Sequence, residues 1–199
     1  GLGNELYVVG YFYNAGGSPA PYIAKWDGAS WSGVGGGMNH IVLTLETDGA
    51  DLYAGGYFSM AGGVAANKVA KWDGTTWLAL GSGMNQDVYA LKMIDDELYA
   101  GGAFTMAGGV TVGKIAKWNG ATWSALGSGV QSTFSTSVQE IEAYGGSVFV
   151  GGIFETAGTA GVNHVALWDG ALWHAIGNGN GLNKQVNAVA VIGSDLYVG

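Results

Sequence analysis

The chain of 199 residues contains no cysteine and no arginine, and only 11% of its residues are charged. Without cysteine there is no disulfide framework, no thiolate nucleophile and no zinc finger, although the redox compartment stays open. All seven cations are lysines, set against fifteen carboxylates for a formal net charge of −8. Binding a phosphate backbone needs clustered cations, and base or phosphate recognition leans on the guanidinium fork, so no nucleic-acid partner is expected. An anionic membrane surface is disfavoured for the same reason. No run of eighteen apolar residues exists, so no insertion of a membrane-spanning helix is expected. A signal peptide is also missing from view, because Leu6-Tyr7-Val8 already belongs to a repeat; the expectation is that the chain follows any targeting segment or is a piece of something longer.

What is abundant is glycine, 38 residues, and aromatic side chains, 12% of the chain with eight tryptophans. Disordered chains are poor in aromatic residues and rich in charge, the opposite of this composition. The glycines recur at fixed positions beside alternating apolar residues, so they punctuate turns and do not mark a linker. Such sparse charge suits a buried or assembled protein.

The reference stretch runs from "DLYAGGYF" at Asp51 through "NKVAKWDGTTWLALGSGMN" to "DVYALKMIDDE". Its leading apolar residue recurs at Leu6, Leu52, Leu98, Val148 and Leu196, spaced 46, 46, 50 and 48. Every tryptophan falls in one of four pairs, Trp26/Trp31, Trp72/Trp77, Trp118/Trp123 and Trp168/Trp173. The third copy carries about four extra residues in "VQSTFSTS", Val130 to Ser137, and the fourth a two-residue insertion before "VNAVAVIGS".

Each copy reads as four short strands, in the reference copy "LYAGGYF", "KVAKW", "TWLAL" and "VYALKMI", with period-two alternation in the last. Asp-Gly or Asn-Gly between the paired tryptophans suits a tight hairpin. No stretch has a helical period flanked by caps. A lone four-stranded sheet of this length leaves both apolar faces wet, whereas units packed face to face cover them. The pattern predicts an all-β β-propeller built from about four blades, at approximately 5–50, 51–96, 97–146 and 147–194, with the start of a further copy at 195–199. Glycine pairs would let strands approach where a side chain would clash.

The blocks "LYxGGxF", "AKWDGxxW" and "LGSGMN" resemble kelch and galactose-oxidase-type propeller repeats, and more closely the delta-60-type repeats of secreted bacterial proteins and the Rax-type cortical proteins of fungi. The resemblance covers essentially the whole chain and implies a propeller without implying one function, since such propellers serve as binding platforms, lectins and enzymes. Copper oxidases of that group use a cysteine cross-linked to tyrosine, which this chain lacks. In style the composition is that of exported bacterial proteins, so an extracellular or cell-surface location is expected. Both ends offer the same strand, "LYVVG" at Leu6 and "LYVG" at Leu196. Three arrangements follow: a fragment of a larger propeller, self-association through the duplicated end strand, or a four-bladed ring with the last five residues displaced.

Candidate sites are few. His40, His164 and His174 occupy different repeat positions with no ligand spacing. Glu46, Asp48 and Asp51, with their counterparts Asp95, Asp96 and Glu97, supply the oxygens that calcium takes, but ordinary solvated turns explain them better. Lys25, Lys71 and Lys117 precede tryptophan, with Asp27 and Asp73 two residues on, which predicts Lys–Asp pairs on one strand face. The tryptophans could stack on sugar rings, but their strict repetition argues for core, the terminal pairs being the ones left open. "GGGM" and "GSGM" lack the lysine and helix of a phosphate loop. No catalytic residue, metal site or cofactor is expected. The expected function is non-catalytic: a scaffold for protein or glycan contact through inter-strand loops, with specificity in Val130 to Ser137. The alternatives are a multivalent lectin with one site per blade and a self-assembling surface protein; an enzyme comes last.

Overall fold

The structure is a computed structural model and describes residues 5–178 and 181–199. The insertion expected in the fourth copy falls partly on residues 179–180, outside the described residues. Every regular element described is a β-strand, so the all-β class holds. Five antiparallel sheets follow one another along the chain, and four short hairpins lie between their strands. The first sheet has three strands, Leu6–Val9, Ile23–Trp26 and Trp31–Gly33. The second has four in chain order, Val42–Thr47, Leu52–Gly56, Val69–Trp72 and Trp77–Ala79. The third repeats it with Val88–Ile94, Glu97–Gly102, Ile115–Trp118 and Trp123–Ala125, and the fourth with Ser137–Tyr144, Ser147–Ile153, Val165–Trp168 and Trp173–Ala175. The fifth holds two strands, Val189–Ile192 and Asp195–Val198.

Sequence copies and sheets are out of phase by one strand. The alternating strand Val88–Ile94, expected to close the reference copy, pairs instead with Glu97–Gly102 and leads the third sheet. Boundaries at 51–96, 97–146 and 147–194 therefore cut across sheets. Turn length explains the shift. Ile94 and Glu97 are partners across Asp95-Asp96, both left-handed at φ 48 and 64, which is a two-residue hairpin turn. The longer segment from Leu80 to Asp87 instead carries the chain from one sheet to the next.

A second correction concerns the Asp-Gly turns. Trp26 and Trp31 are direct partners, as are Trp72 and Trp77, so four residues close each turn. Only the glycine is left-handed, φ 99 at Gly28 and 94 at Gly74. The two-residue hairpins lie elsewhere, at Gly62-Gly63 for example (φ 55 and 83), which joins Met60–Ala61 to Val64–Ala65. Strands of two residues are too short for a period-two signal.

The core lies between sheets. One cluster joins Val34 and Met38 of the first repeat to Ala54, Phe58, Ala61 and Trp77 of the second; another joins Leu80 and Met84 to Phe104 and Trp123; a third joins Leu126 to Phe154 and Trp173. Phe58, Phe104 and Phe154 are fully buried at matching positions. Leading strands lie side by side, Val42–Thr47 against Val88–Ile94 and that against Ser137–Tyr144. The close approach explains a glycine: a Cβ on Gly55 would sit 2.6 Å from Val88 Cγ1, and one on Gly151 2.5 Å from Val186 Cγ1.

The second tryptophan of each pair pins successive sheets. Trp77 Nε1 donates to the Val34 carbonyl at 3.1 Å, Trp123 Nε1 to Leu80 at 2.9 Å and Trp173 Nε1 to Leu126 at 2.8 Å. Each indole thereby buries its polar handle with a partner. A smaller clamp runs beside it. Asn39 Oδ1 accepts from the Ser59 and Met60 amides, and Asn85 Oδ1 from those of Thr105 and Met106. This explains the asparagine of "LGSGMN".

Candidate functional site

The extra residues of the third copy shape an open cleft. The chain leaves the third sheet at Leu126, and Val130–Gln131 pairs with Thr156–Ala157 of the fourth repeat. The Glu155 amide donates to the Gln131 carbonyl at 2.8 Å, and Thr133 donates through both its amide and its hydroxyl to Glu155 Oε2, at 3.3 Å each. Between this loop and the short hairpin of the third repeat lies an open cleft of about 490 Å³. Its lining includes Thr105, Thr111, Lys114, Gln131, Ser132 and Thr136. Phe134, between two lining residues, is 95% exposed.

Lys114 belongs to a series that sequence reading missed. Tyr22, Lys68, Lys114 and His164 stand at one register position, directly before the strand that carries the first tryptophan, and all four are left-handed (φ 64, 68, 67 and 72). A non-glycine residue in that region is held there by its surroundings at a cost of about 1–2 kcal/mol. Lys68 Nζ donates to the Tyr57 carbonyl and pairs with Asp87, both at 2.9 Å. Lys114 Nζ makes the matching bond to the Ala103 carbonyl at 2.9 Å. Ser137 takes the register place of Asp87, so among the described residues no carboxylate pairs with Lys114. Burial lowers the Lys114 pKa below the usual lysine range. A fixed register position that changes from Tyr to Lys to His is the signal that could have revealed the series.

A second surface gathers half of the ten tyrosines. Tyr11 and Tyr13 meet edge to face at 5.9 Å, Tyr13 meets Tyr22 at 5.2 Å, and the Tyr22 hydroxyl donates to that of Tyr13 at 3.1 Å. His40 stacks on Tyr22 at 6.2 Å and touches the Tyr57 ring, which in turn meets Tyr89. Tyr11 is 72% and Tyr13 53% exposed, which makes them the open end of this ladder.

The remaining candidates are absorbed locally. His164 is half-buried, with Nδ1 lacking a hydrogen-bond partner among the described residues, and His174 Nε2 lies 2.6 Å from Asp169 Oδ2 on the surface. The three histidines are not brought together, and no group of three metal-ligating side chains occurs among the described residues. Asp48 accepts from the amides of Ala50 and Asp51 and from the Tyr53 hydroxyl, and Glu46 accepts from the Thr47 amide.

The expected Lys–Asp pairs are corrected. Lys25 pairs with Glu5 at 2.6 Å, Lys71 with Asp51 at 2.6 Å and Lys117 with Glu97 at 2.7 Å. Asp27 and Asp73 have left the strand and turn their carboxylates back onto amides of their own turn. Of the tryptophans, Trp72, Trp77, Trp123 and the last pair, Trp168 and Trp173, are buried, whereas Trp26 and Trp31 of the first sheet and Trp118 of the third are half-buried.

No family model matches the chain, and no curated protein matches it. Among solved structures it is similar to the crystal structure of the computationally designed Ika8 protein, with a TM-score of 0.52 and 18% identity. The match covers 88% of this chain and 48% of that one, so this chain spans about half the length of the designed protein. What the two share is a fold of repeated β units.

Proposed function

We propose that this chain is a run of kelch-like β-propeller blades serving as a non-catalytic binding scaffold at or outside the cell surface, with its ligand, a protein or glycan, held at the 130–137 loop. Support for the propeller comes from three like four-stranded sheets, packed face to face through conserved register positions, and from the likeness to half of a larger β-repeat protein. Support for binding comes from one observation: the largest departure from the repeat is also where a cleft of about 490 Å³ opens, lined by hydroxyls, one amide and an ammonium group with no carboxylate partner among the described residues. A framework that repeats elsewhere and varies there separates rigid support from recognition. The lining sets hydroxyls, an amide and an ammonium group around a surface that is more apolar than polar, a mixture that suits the hydroxyls and the CH faces of a glycan.

The test exchanges residues 130–137 for the shorter Met84–Asp87 turn and reads both proteins on a glycan array. Saturable signal on the parent, lost on exchange, is the expected result; signal kept after exchange removes the loop from the reading. The exposed Tyr11 and Tyr13 favour a second reading, a sugar stacked on their rings. In that case Tyr11→Ala abolishes the signal and the loop exchange does not.

A further inference from the structure

The three internal junctions share one lock, and the two ends of the described fold carry its separate halves. On the accepting side stand Val34, Leu80 and Leu126, all buried, whose carbonyls receive Trp77, Trp123 and Trp173. The next indole pair packs over the glycine after each: a Cβ on Gly35 would overlap Trp72, while one on Gly81 or Gly127 would just touch Trp118 at 3.6 Å or Trp168 at 3.4 Å, leaving no room for a longer side chain. The next members of this series are Ile176 and Gly177. Ile176 is only half-buried, and none of the described residues lies within 4 Å of a Cβ on Gly177.

On the inserting side, Ala54, Phe58, Ala61, Ala70 and Trp77 are all buried in the junction between the first and second repeats. Their counterparts Val8, Phe12, Ala15, Ala24 and Trp31 line an open groove of about 200 Å³, together with Asn14. Phe12 is half-buried where Phe58, Phe104 and Phe154 are fully buried, and among the described residues no leading strand pairs with Leu6–Val9 as one does in the later sheets. The fifth sheet supplies such a strand, Val189–Ile192, and lacks the two outer strands.

We infer that, for the 199-residue chain, the occupant of both half-junctions is a second copy. The groove of one copy closes over Ile176 of the other, Trp31 Nε1–H donates to the Ile176 carbonyl, and Trp26 covers Gly177. Leu6–Val9 then lies beside Val189–Ile192, and Asp195–Val198, the duplicate strand, yields that place. Leu6–Val9 is the better held of the two on its outer side, since Glu5 already binds Lys25 at 2.6 Å. Two copies close head to tail, since each end of one copy meets the complementary end of the other and the chain spans about half of the larger fold it is similar to. The closure rests on the propeller reading above; the docking rests on the junctions alone, and neither depends on whether the 130–137 loop binds a glycan.

Sedimentation of the 199-residue chain across micromolar concentrations tests this. The expected species is twice 20.3 kDa and dissociates on dilution. Gly177→Asn keeps the left-handed conformation, φ 67, because asparagine tolerates it, and meets none of the described residues within the copy, whereas in the proposed junction its amide would collide with Trp26 of the next. It should sediment at 20.3 kDa with an unchanged far-UV spectrum and thermal midpoint. Trp31→Phe keeps the apolar bulk, removes the N–H, and should weaken association about tenfold. A parent that stays at 20.3 kDa throughout, or a Gly177→Asn protein that associates like the parent, overturns the docking. A series extending beyond two copies overturns the closure.

Discussion

At the scale of single residues, the polar side chains of this protein are mostly consumed by the turns that carry them. Asp73 Oδ1 accepts from the amides of Thr76 and Thr75, and Asp169 Oδ1 from those of Leu172 and Ala171. Those amides hold both carboxyls down at a pKa of about 2, with a further contribution from the Thr75 hydroxyl for Asp73 and from His174 for Asp169. An unfolded aspartate titrates near 3.9, so each ionised carboxylate contributes stability that is present above that value and lost as the pH falls through about 2. Carboxyl ¹³C shifts followed against pH should show both midpoints near 2; midpoints near 4 would mean that the turns do not hold the carboxylates. The third repeat contains its own control, because Asn119 makes the same two bonds to Ala121 and Thr122 without a charge. Asp73→Asn should keep the turn and lose this acid dependence, whereas Asp73→Ala should lower the thermal midpoint at neutral pH.

At the scale of elements, what matters is how closely two leading strands can approach. A Cβ on Gly101 would overlap Val138 Cγ1 and lie 3.1 Å from Ile141 Cδ1, and both neighbours are branched side chains fixed in the core. Gly101→Ala should therefore cost about 1–3 kcal/mol in urea unfolding by overpacking. Gly109→Asn, at a left-handed position (φ 85) with nothing within 4 Å, serves as the neutral comparison. A loss at Gly101 no larger than that at Gly109 would show that the two strands shift to admit the methyl group. Strand type, glycine pairs and paired tryptophans were legible because each repeats with a period longer than any local accident. Sheet membership was not, because pairing partners are set by turn length and Asp95-Asp96 carries neither of the glycines that announce a two-residue turn. The lysine partners were missed for a related reason: Glu5, Asp51 and Glu97 lie twenty residues upstream, across a strand pair, and spacing along one strand cannot show them. Of the candidate site, the 130–137 loop was visible as an insertion. The left-handed Tyr22–Lys68–Lys114–His164 series and the tyrosine ladder were not, since both exist only between repeats.

At the scale of the whole molecule, substantial contacts among the described elements join each sheet to its neighbours in sequence, so stability should vary along the chain as it does in a one-dimensional array. A middle sheet is covered on both faces. In the third, Leu98 is 1% and Tyr99 7% exposed, and Trp123 and Trp173 fasten its two junctions. The last sheet has one covered face and only two strands, leaving Ile192 66% and Tyr197 53% exposed. Amide hydrogen exchange should therefore protect Glu97–Gly102 most and Asp195–Val198 least, with Leu6–Val9 between them. A difference of about a hundredfold in protection between the extremes corresponds to about 2.7 kcal/mol of opening free energy, roughly the burial of one large apolar side chain. Measured below the concentration at which copies associate, the gradient reads the array alone. Raising the concentration should then add protection at Leu6–Val9 and take it away at Asp195–Val198, because the first strand gains a neighbour that the second gives up. Uniform protection from Leu6 to Val198 would instead mean that the five sheets open as one cooperative body, and the nearest-neighbour account of this fold would fail.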